Sequence, residues 1–259
     1  MFNKEKYIHK IEKEGYCIIE DVLDKDFVAQ AKKELEIAIE KEVDYHGTKE
    51  YSDFGMVLLC ALYGGAFAEI FNYPLLTEPI EAILGEGCIL YAYTSSSMPP
   101  QKTNYSNRIH VDLPPKRYIK DYLTNFGAFI ALSDITEENG AMHFLPGSHL
   151  QIDEPSESYF DKHSKRCIMK AGSVFFFNPR LWHKGGLNQT NTWRHAITMN
   201  ICRPFMKQRI DIPRALSHLD TSSWSEKAKQ KLGFYAQTPA SYDEYYVAPE
   251  LRKYKQKYE

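Results

Sequence analysis

The amino-acid sequence predicts a mainly β protein with flanking helices, its centre an antiparallel sandwich or barrel. Three observations carry that expectation. Residues 1–87 show helical apolar spacing with one β-rich run among them. From Cys88 to about Arg203 the texture changes to short apolar runs separated by Pro, Gly, Asn and Asp. No helical pattern intervenes, which favours stacked antiparallel strands over a βαβ sheet. At 259 residues with 43% hydrophobic content, the chain is long enough for one such domain to bury a sizeable core. The expectation is therefore a single domain. Residues 1–87 form a mostly helical part packed on the barrel, 88–204 the β core, and 205–259 an appendage or lid.

In chain order, Tyr7 to Glu14 reads as a short amphipathic helix stopped by Gly15, and Tyr16 to Glu20 as a strand. Asp24 is an N-cap candidate for a helix from about Lys25 to Glu42, with Phe27, Val28, Ala31, Leu35, Ala38 and Ile39 on its apolar face. Residues 44–54 are polar and irregular. Met56 to Phe71 reads as helical despite Gly64 and Gly65, and Thr77 to Leu84 as a helix opened by Tyr73-Pro74-Leu75-Leu76 and ended by Gly85. The strand candidates are Cys88–Thr94, Asn107–Asp112, Asn125–Ser133, Met142–Leu145, Cys167–Met169, Ser173–Asn178, Gly186–Asn188 and Arg194–Arg203. The tail beyond Met206 is rich in Lys and Tyr.

Composition narrows the function classes. A net charge of −2 with dispersed basic residues offers no nucleic-acid surface. Five cysteines, odd in number and without a CxxC pair, argue against a disulfide framework or zinc ribbon and suit reduced thiols. The N-terminus carries no apolar signal run, and no stretch approaches a membrane span. The expectation is a cytoplasmic protein with a small-molecule partner and neither nucleic acid nor membrane. Oligomeric state is not legible.

Chemistry concentrates in three places. In Arg108-Ile109-His110-Val111-Asp112, an extended backbone would put His110 and Asp112 on one face, two arms of a 2-His-1-carboxylate iron site. His-x-Asp alone is a weak signal. Phe175 to Trp182 runs through a turn to His183, and Arg194 follows eleven positions later. The stretch 184–192 reads as a short strand and turn, making His183 and Arg194 neighbours across a hairpin. An imidazole on a metal beside a buried guanidinium suits a 2-oxoacid that chelates iron and gives its far carboxylate to arginine. The alternative is an Arg194 paired with a surface acid.

The third place is Ala131 to His149, with Asp134-Ile135-Thr136-Glu137-Glu138-Asn139-Gly140-Ala141-Met142-His143-Phe144-Leu145-Pro146-Gly147-Ser148-His149 at its heart. This segment closely resembles the signature of the phytanoyl-CoA dioxygenase family. His110-x-Asp112, the Asn178-Pro179-Arg180-Leu181-Trp182-His183 run, Arg194, and the Glu14-Gly15-Tyr16 start agree with it, over most of residues 14–204. The resemblance implies a double-stranded β-helix (jelly-roll, cupin-like) core and an Fe(II)- and 2-oxoglutarate-dependent oxygenase that uses O2. By position it implies His110, Asp112 and His183 as iron ligands and Arg194 as the holder of the 2-oxoglutarate 5-carboxylate. Because Asp112 is a carboxylate rather than a small residue, it implies hydroxylation rather than halogenation, with succinate and CO2 as coproducts.

Around this site, Tyr93 and Phe129, with Tyr91, are expected to line the cosubstrate or substrate site; core packing is their alternative. The loop Thr94 to Asn107 is expected to border the pocket, and Arg108 with Lys116-Arg117-Tyr118 to flank it. His143 and His149 read as structural, His195 as turned away from Arg194, and Trp182 as a wedge. Three other readings stay open: desaturation, epimerisation or cyclisation with the same cofactors; a cupin-like metalloenzyme without the oxoacid; and a silent barrel that only binds. A bacterial-type biosynthetic hydroxylase is the preferred expectation.

Overall fold

The computed structural model describes residues 3–51, 53–104, 106–113 and 122–255. Helix α1 (Lys4–Glu14) starts where Asn3 accepts the backbone N–H of Lys6 and stops at Gly15, whose φ of +81° is the left-handed turn a helix C-terminus requires. Strand β1 (Tyr16–Ile19) follows, then helix α2 (Lys25–His46). The Asp24 carboxylate accepts the N–H of Phe27 at 2.8 Å, as its N-cap pattern predicts. The helix runs past Glu42 to His46 because the next left-handed cap is Gly47.

The apolar stretch 56–71 is not one helix. Gly64, at φ +118°, breaks it into a 3-10 turn (Cys60–Tyr63), α3 (Gly65–Glu69) and a second 3-10 turn (Ile70–Asn72). Helix α4 (Pro74–Leu84) begins within the Tyr73-Pro74-Leu75-Leu76 stretch expected to open it, since Pro74 at its first turn forfeits no hydrogen bond there.

The β region contains β2 (Ile89–Ser95), β3 (Asn125–Ala131), β4 (His143–Phe144), β5 (Lys165–Arg166), β6 (Val174–Phe177), β7 (His183–Lys184) and β8 (Ala196–Cys202). They make two antiparallel sheets. One has five strands in the order β1-β6-β3-β8-β2, and the other has three, β5-β4-β7. Helix α5 (Glu157–His163), which the sequence reading missed, is capped by Ser156 and lies between β4 and β5 in the chain. Short helices α6 (Ile212–Ala215), α7 (Glu226–Leu232) and α8 (Tyr242–Tyr245) follow the sheets. Helix α7 docks at the start of β2: Gln230 donates to Gly87 O, and Lys231 to Glu86 O.

Strict alternation in the five-stranded sheet sorts the core into two layers. Phe126, Ala128, Ile130, Val174, Phe176, Ile197, Met199 and Ile201 point toward the helices and join Leu35, Phe67, Phe71 and Ile80. Phe129, Ala131, Phe175, Phe177 and Ala196 point the other way, against Phe144, Cys167 and Met169 on the side of the three-stranded sheet. Phe129 and Phe177 of that second layer border the cavity in which the expected site residues His110, Asp112, His183 and Arg194 also lie.

Several strand expectations are corrected. Residues 107–112 make a single antiparallel bridge, His110 to His183, rather than a strand. The expected strand 167–169 is displaced to Lys165–Arg166, with Met169 bridging Ile135. Residues 186–188 contribute only the bridge from Asn188 to Asn139. In each case edge pairing is too short to propagate, because a turn glycine or proline lies within a few residues. Among the described residues no helix is long and apolar enough to cross a membrane.

Candidate metal and cosubstrate site

The site is assembled by backbone pairing. The His110 N–H donates to His183 O at 2.9 Å and the His183 N–H to His110 O at 3.0 Å. Two residues that exchange both bonds lie directly opposite, with their side chains on one face. The two imidazoles accordingly stand 4.2 Å apart between centroids. Asp112 turns back onto them, its Oδ1 3.8 Å from Nε2 of each ring. Their donor atoms all lie within 4.8 Å of one another, the one group of three or more such residues among those described that has metal-binding spacing.

Each imidazole is oriented by a local hydrogen bond. His110 Nδ1 lies 2.8 Å from Arg108 O, and His183 Nδ1 lies 2.9 Å from Leu181 O. A carbonyl can only accept, so both Nδ1 atoms carry the proton and both Nε2 atoms turn a lone pair toward Asp112. Burial, and then the neighbouring His183, hold the His110 pKa below its ordinary value. That keeps the ring neutral and able to ligate. A carboxylate and two imidazoles on one side of a point are a donor set for a ferrous ion with open positions opposite.

Arg194 faces the same cavity, which is lined also by Ser96, Asn104, Ser106, Phe129, Met142, Phe177 and Thr198. It is 2% exposed, with its guanidinium carbon 5.5 Å above the Phe129 ring. Among the described residues no carboxylate compensates it: its Nε and Nη1 are buried without a hydrogen-bond partner. Burial lowers its pKa to about 10, so it remains a cation at neutral pH. A buried unpaired cation is costly, and an incoming carboxylate would relieve it. The surface-acid alternative for Arg194 therefore fails.

His183 and Arg194 are not neighbours across a hairpin. His183 pairs with β4 in the three-stranded sheet, whereas Arg194 exchanges backbone bonds with Met98 beside the five-stranded sheet. They meet across the cavity because residues 185–193 cross from one sheet to the other. Asn188, fully buried, pins that crossing. Its Nδ2 donates to the carbonyls of Met98, Pro99 and Thr192, and its Oδ1 accepts from the Thr190 N–H and hydroxyl.

Of the expected lining residues, Phe129 borders the cavity and Tyr93 does not. Tyr93 pairs with Met199 on the helix-facing side, and its hydroxyl donates to Phe67 O at 3.0 Å. Thr94, its neighbour, is the residue of β2 that pairs with inward-facing Thr198. One position of parity separates the two outcomes. The loop after β2 does border the cavity, through Ser96, Asn104 and Ser106, while Lys116, Arg117 and Tyr118 lie outside the described residues. The sequence reading missed Thr198 and Met142 as lining residues. Thr198 was accessible from alternation, four residues beyond Arg194 on the same strand face.

Three further histidines, His195, His149 and His143, are structural in their contacts. His195 is buried, 3.1 Å from Ser97 Oγ, and stacks on Trp193. His149 donates from Nε2 to Glu12 O at 2.9 Å, and His143 sits between Arg166 and Lys184 on the outer face of the three-stranded sheet. Trp182 packs with Leu145 and Phe160. A larger cavity, about 950 Å³, lies among Ile89, Phe205, Lys207, Tyr245 and Arg252 and contains none of the cluster. Size is thus a poor guide here, and donor chemistry is the better one.

A family model described as phytanoyl-CoA dioxygenase (PhyH) matches residues 11–196. An uncharacterized protein of Mycobacterium tuberculosis is 29% identical over 93% of this chain and 90% of its own length. The Fe(II)/2-oxoglutarate-dependent dioxygenase nvfF of Aspergillus novofumigatus is 30% identical over 57% of this chain and 51% of its own. Among solved structures, HygX from Streptomyces hygroscopicus, with nickel and 2-oxoglutarate bound, superposes with a TM-score of 0.63. It covers 80% of this chain and 90% of its own at 16% identity, a likeness of fold.

Proposed function

The chain belongs to the phytanoyl-CoA dioxygenase family, and from that premise we propose that it is an Fe(II)- and 2-oxoglutarate-dependent dioxygenase hydroxylating an unactivated C–H bond of a small-molecule metabolite. The observation that carries the reading is the pairing of a His110–Asp112–His183 donor cluster with an unpartnered buried Arg194 in one cavity. We read the two facing antiparallel sheets as a double-stranded β-helix core, a reading the likeness to HygX supports.

The residues divide the work. His110, Asp112 and His183 would hold the iron on one face, the two Nε2 atoms fixed by the Nδ1 hydrogen bonds above and the Asp112 carboxylate turned toward both. Arg194 would take the far carboxylate of 2-oxoglutarate through its free Nε and Nη1, and the Phe129 ring beneath keeps water from that pair. When bound, the iron and 2-oxoglutarate supply an oxidation in which the oxoacid loses CO2 to become succinate and O2 is activated against the substrate. Phe177, packed on His183 at 5.7 Å, and Met142 give the cavity apolar walls that exclude solvent. Asp112 occupies the carboxylate position, which supports hydroxylation.

The reading is tested by anaerobic titration of the apoprotein with Fe(II) and 2-oxoglutarate, following the weak visible charge-transfer band. The band should form in the wild type and weaken in Asp112→Ala and Arg194→Ala. Metal binding without a band would favour a cupin-like metalloenzyme, and no metal binding would favour a silent barrel.

A further inference from the structure

We propose that Asn200 determines substrate specificity, presenting an amide N–H to an oxygen atom of the molecule being oxidised. The argument rests on the iron and 2-oxoglutarate reading above and extends it to the substrate.

It begins with the alternation along β8. Thr198 borders the cavity, and Asn200 is the next residue on the same face, roughly 7 Å farther along the strand. Arg194 lies on the opposite side of Thr198, so Asn200 stands clear of the stretch that would hold the cosubstrate. The inner face is also open at this point. Thr198, Asn200 and the facing Ala92 are half-buried, whereas every residue of β3 and the intervening Met199 and Ile201 are buried. Solvent, and hence a substrate, reaches the sheet along the β2–β8 side.

The Asn200 carboxamide is held in one orientation. Its Oδ1 accepts from Asn125 Nδ2 at 3.0 Å, and Asn125 Oδ1 in turn accepts the Thr124 hydroxyl at 3.0 Å. Asn125 and Thr124 are themselves buried, so this chain is anchored from inside. It engages the Oδ1 of Asn200 and leaves its NH2 group without a partner among the described residues. Asparagine is also a poor strand former, and a residue chosen only to pack would be β-branched or aromatic here. What remains is an oriented, half-exposed donor with no protein partner among the described residues.

Its position relative to the metal cluster follows from the register. Asn200 pairs with Gly127, and Gly127 pairs on its other side with Phe177. A Cβ on Gly127 would collide with the Phe177 ring, so that ring lies over Gly127, between Asn200 and His183. The Phe177 ring is itself buried, so a substrate entering from the open β2–β8 side past its edge would place one end at the metal cluster and the other at the Asn200 amide. The donor selects an oxygen acceptor, a ketone, lactone or amide carbonyl, about one ring's width from the carbon that is oxidised. Because the site is half-open, the discrimination should be modest, about tenfold.

The test uses matched probes with the Fe(II)- and 2-oxoglutarate-loaded protein: 2-decalone, 2-decalol and decalin, followed by succinate release. The wild type should turn over the ketone about tenfold faster than decalin. Asn200→Leu should erase that preference. Asn200→Asp, isosteric but an acceptor, should shift it toward the alcohol. Both variants should keep the charge-transfer band. Equal rates for ketone and decalin in the wild type, or a preference that survives Asn200→Leu, would overturn the proposal. Loss of the band in the variants alone would also overturn it, because Asn200 would then belong to the cosubstrate. Absence of the band in the wild type would strike the iron reading itself.

Discussion

Replacing Asn188 should cost more than its size suggests, and it should weaken the cosubstrate site at a distance. Its side chain is fully buried and makes five hydrogen bonds, three donated to carbonyls and two accepted from Thr190. Asn188→Ala leaves Met98 O still bonded to the Arg194 N–H and Thr192 O still bonded to the Thr190 hydroxyl at 3.2 Å. Pro99 O and the Thr190 N–H lose the partner that served them. Pro99 is buried and Thr190 half-buried, so one group at roughly 1–3 kcal/mol and a second, partly hydrated one at less give a loss of about 1–4 kcal/mol. Asn188→Asp is closer in shape but should be at least as damaging above pH 6, because a carboxylate oxygen would face three carbonyls where an amide donated. Met98 pairs with the backbone of Arg194, so slack there should also raise the Kd for 2-oxoglutarate. Urea unfolding followed by circular dichroism measures the first effect, and the charge-transfer titration measures the second. A loss below about 1 kcal/mol for Asn188→Ala would refute the hydrogen-bond argument. So would an Asn188→Asp protein more stable than the alanine variant at neutral pH.

Two further outcomes follow from packing and burial. Gly127→Ala should push the Phe177 ring toward His183, destabilising the fold by about 1–3 kcal/mol and weakening the Fe(II)/2-oxoglutarate band; an unchanged band would refute the close packing. Burial lowers the His195 pKa from 6.5 to about 4, and Glu36, 3.5 Å away but half-exposed, does not offset it. Below pH 6.5 the unfolded chain takes up a proton that the fold refuses, so stability should fall as pH drops from 6.5 to 4. The full effect is about 3 kcal/mol, and unfolding of His195→Gln should lack that component.

Local chemistry was legible where the cause is local. Asp24 and Gly15 cap their helices because a carboxylate can take an N–H three residues on and glycine can turn left-handed. The change from helical to strand texture near residue 88 coincides with β2, because alternation and turn residues are properties of a few neighbouring positions. Gly64 was visible as a glycine. That it ends a helix rather than sitting inside one was not, since this depends on how Cys60 and Phe67 are buried on either side.

By itself the sequence determined the candidate donor set: a His-x-Asp pair, a second histidine after a turn, and one arginine eleven residues on, in an order that few folds would keep by chance. Donor chemistry is carried by residue type, and type needs no structure. The tertiary structure alone decided which of these meet and how. His183 and Arg194 come together from different sheets, because the chain between them crosses the core on the Asn188 bonds instead of forming a hairpin. Tyr93 faces the helices and Phe129 the cavity, because alternation gives two faces while only the partner strand says which face is inside. Residues 107–112 need no strand at all, since one reciprocal pair of backbone bonds between His110 and His183 aligns the two imidazoles. The orientation of the Asn200 amide was invisible for the same reason: its partner, Asn125, lies 75 residues away in sequence and beside it only once β3 and β8 have paired.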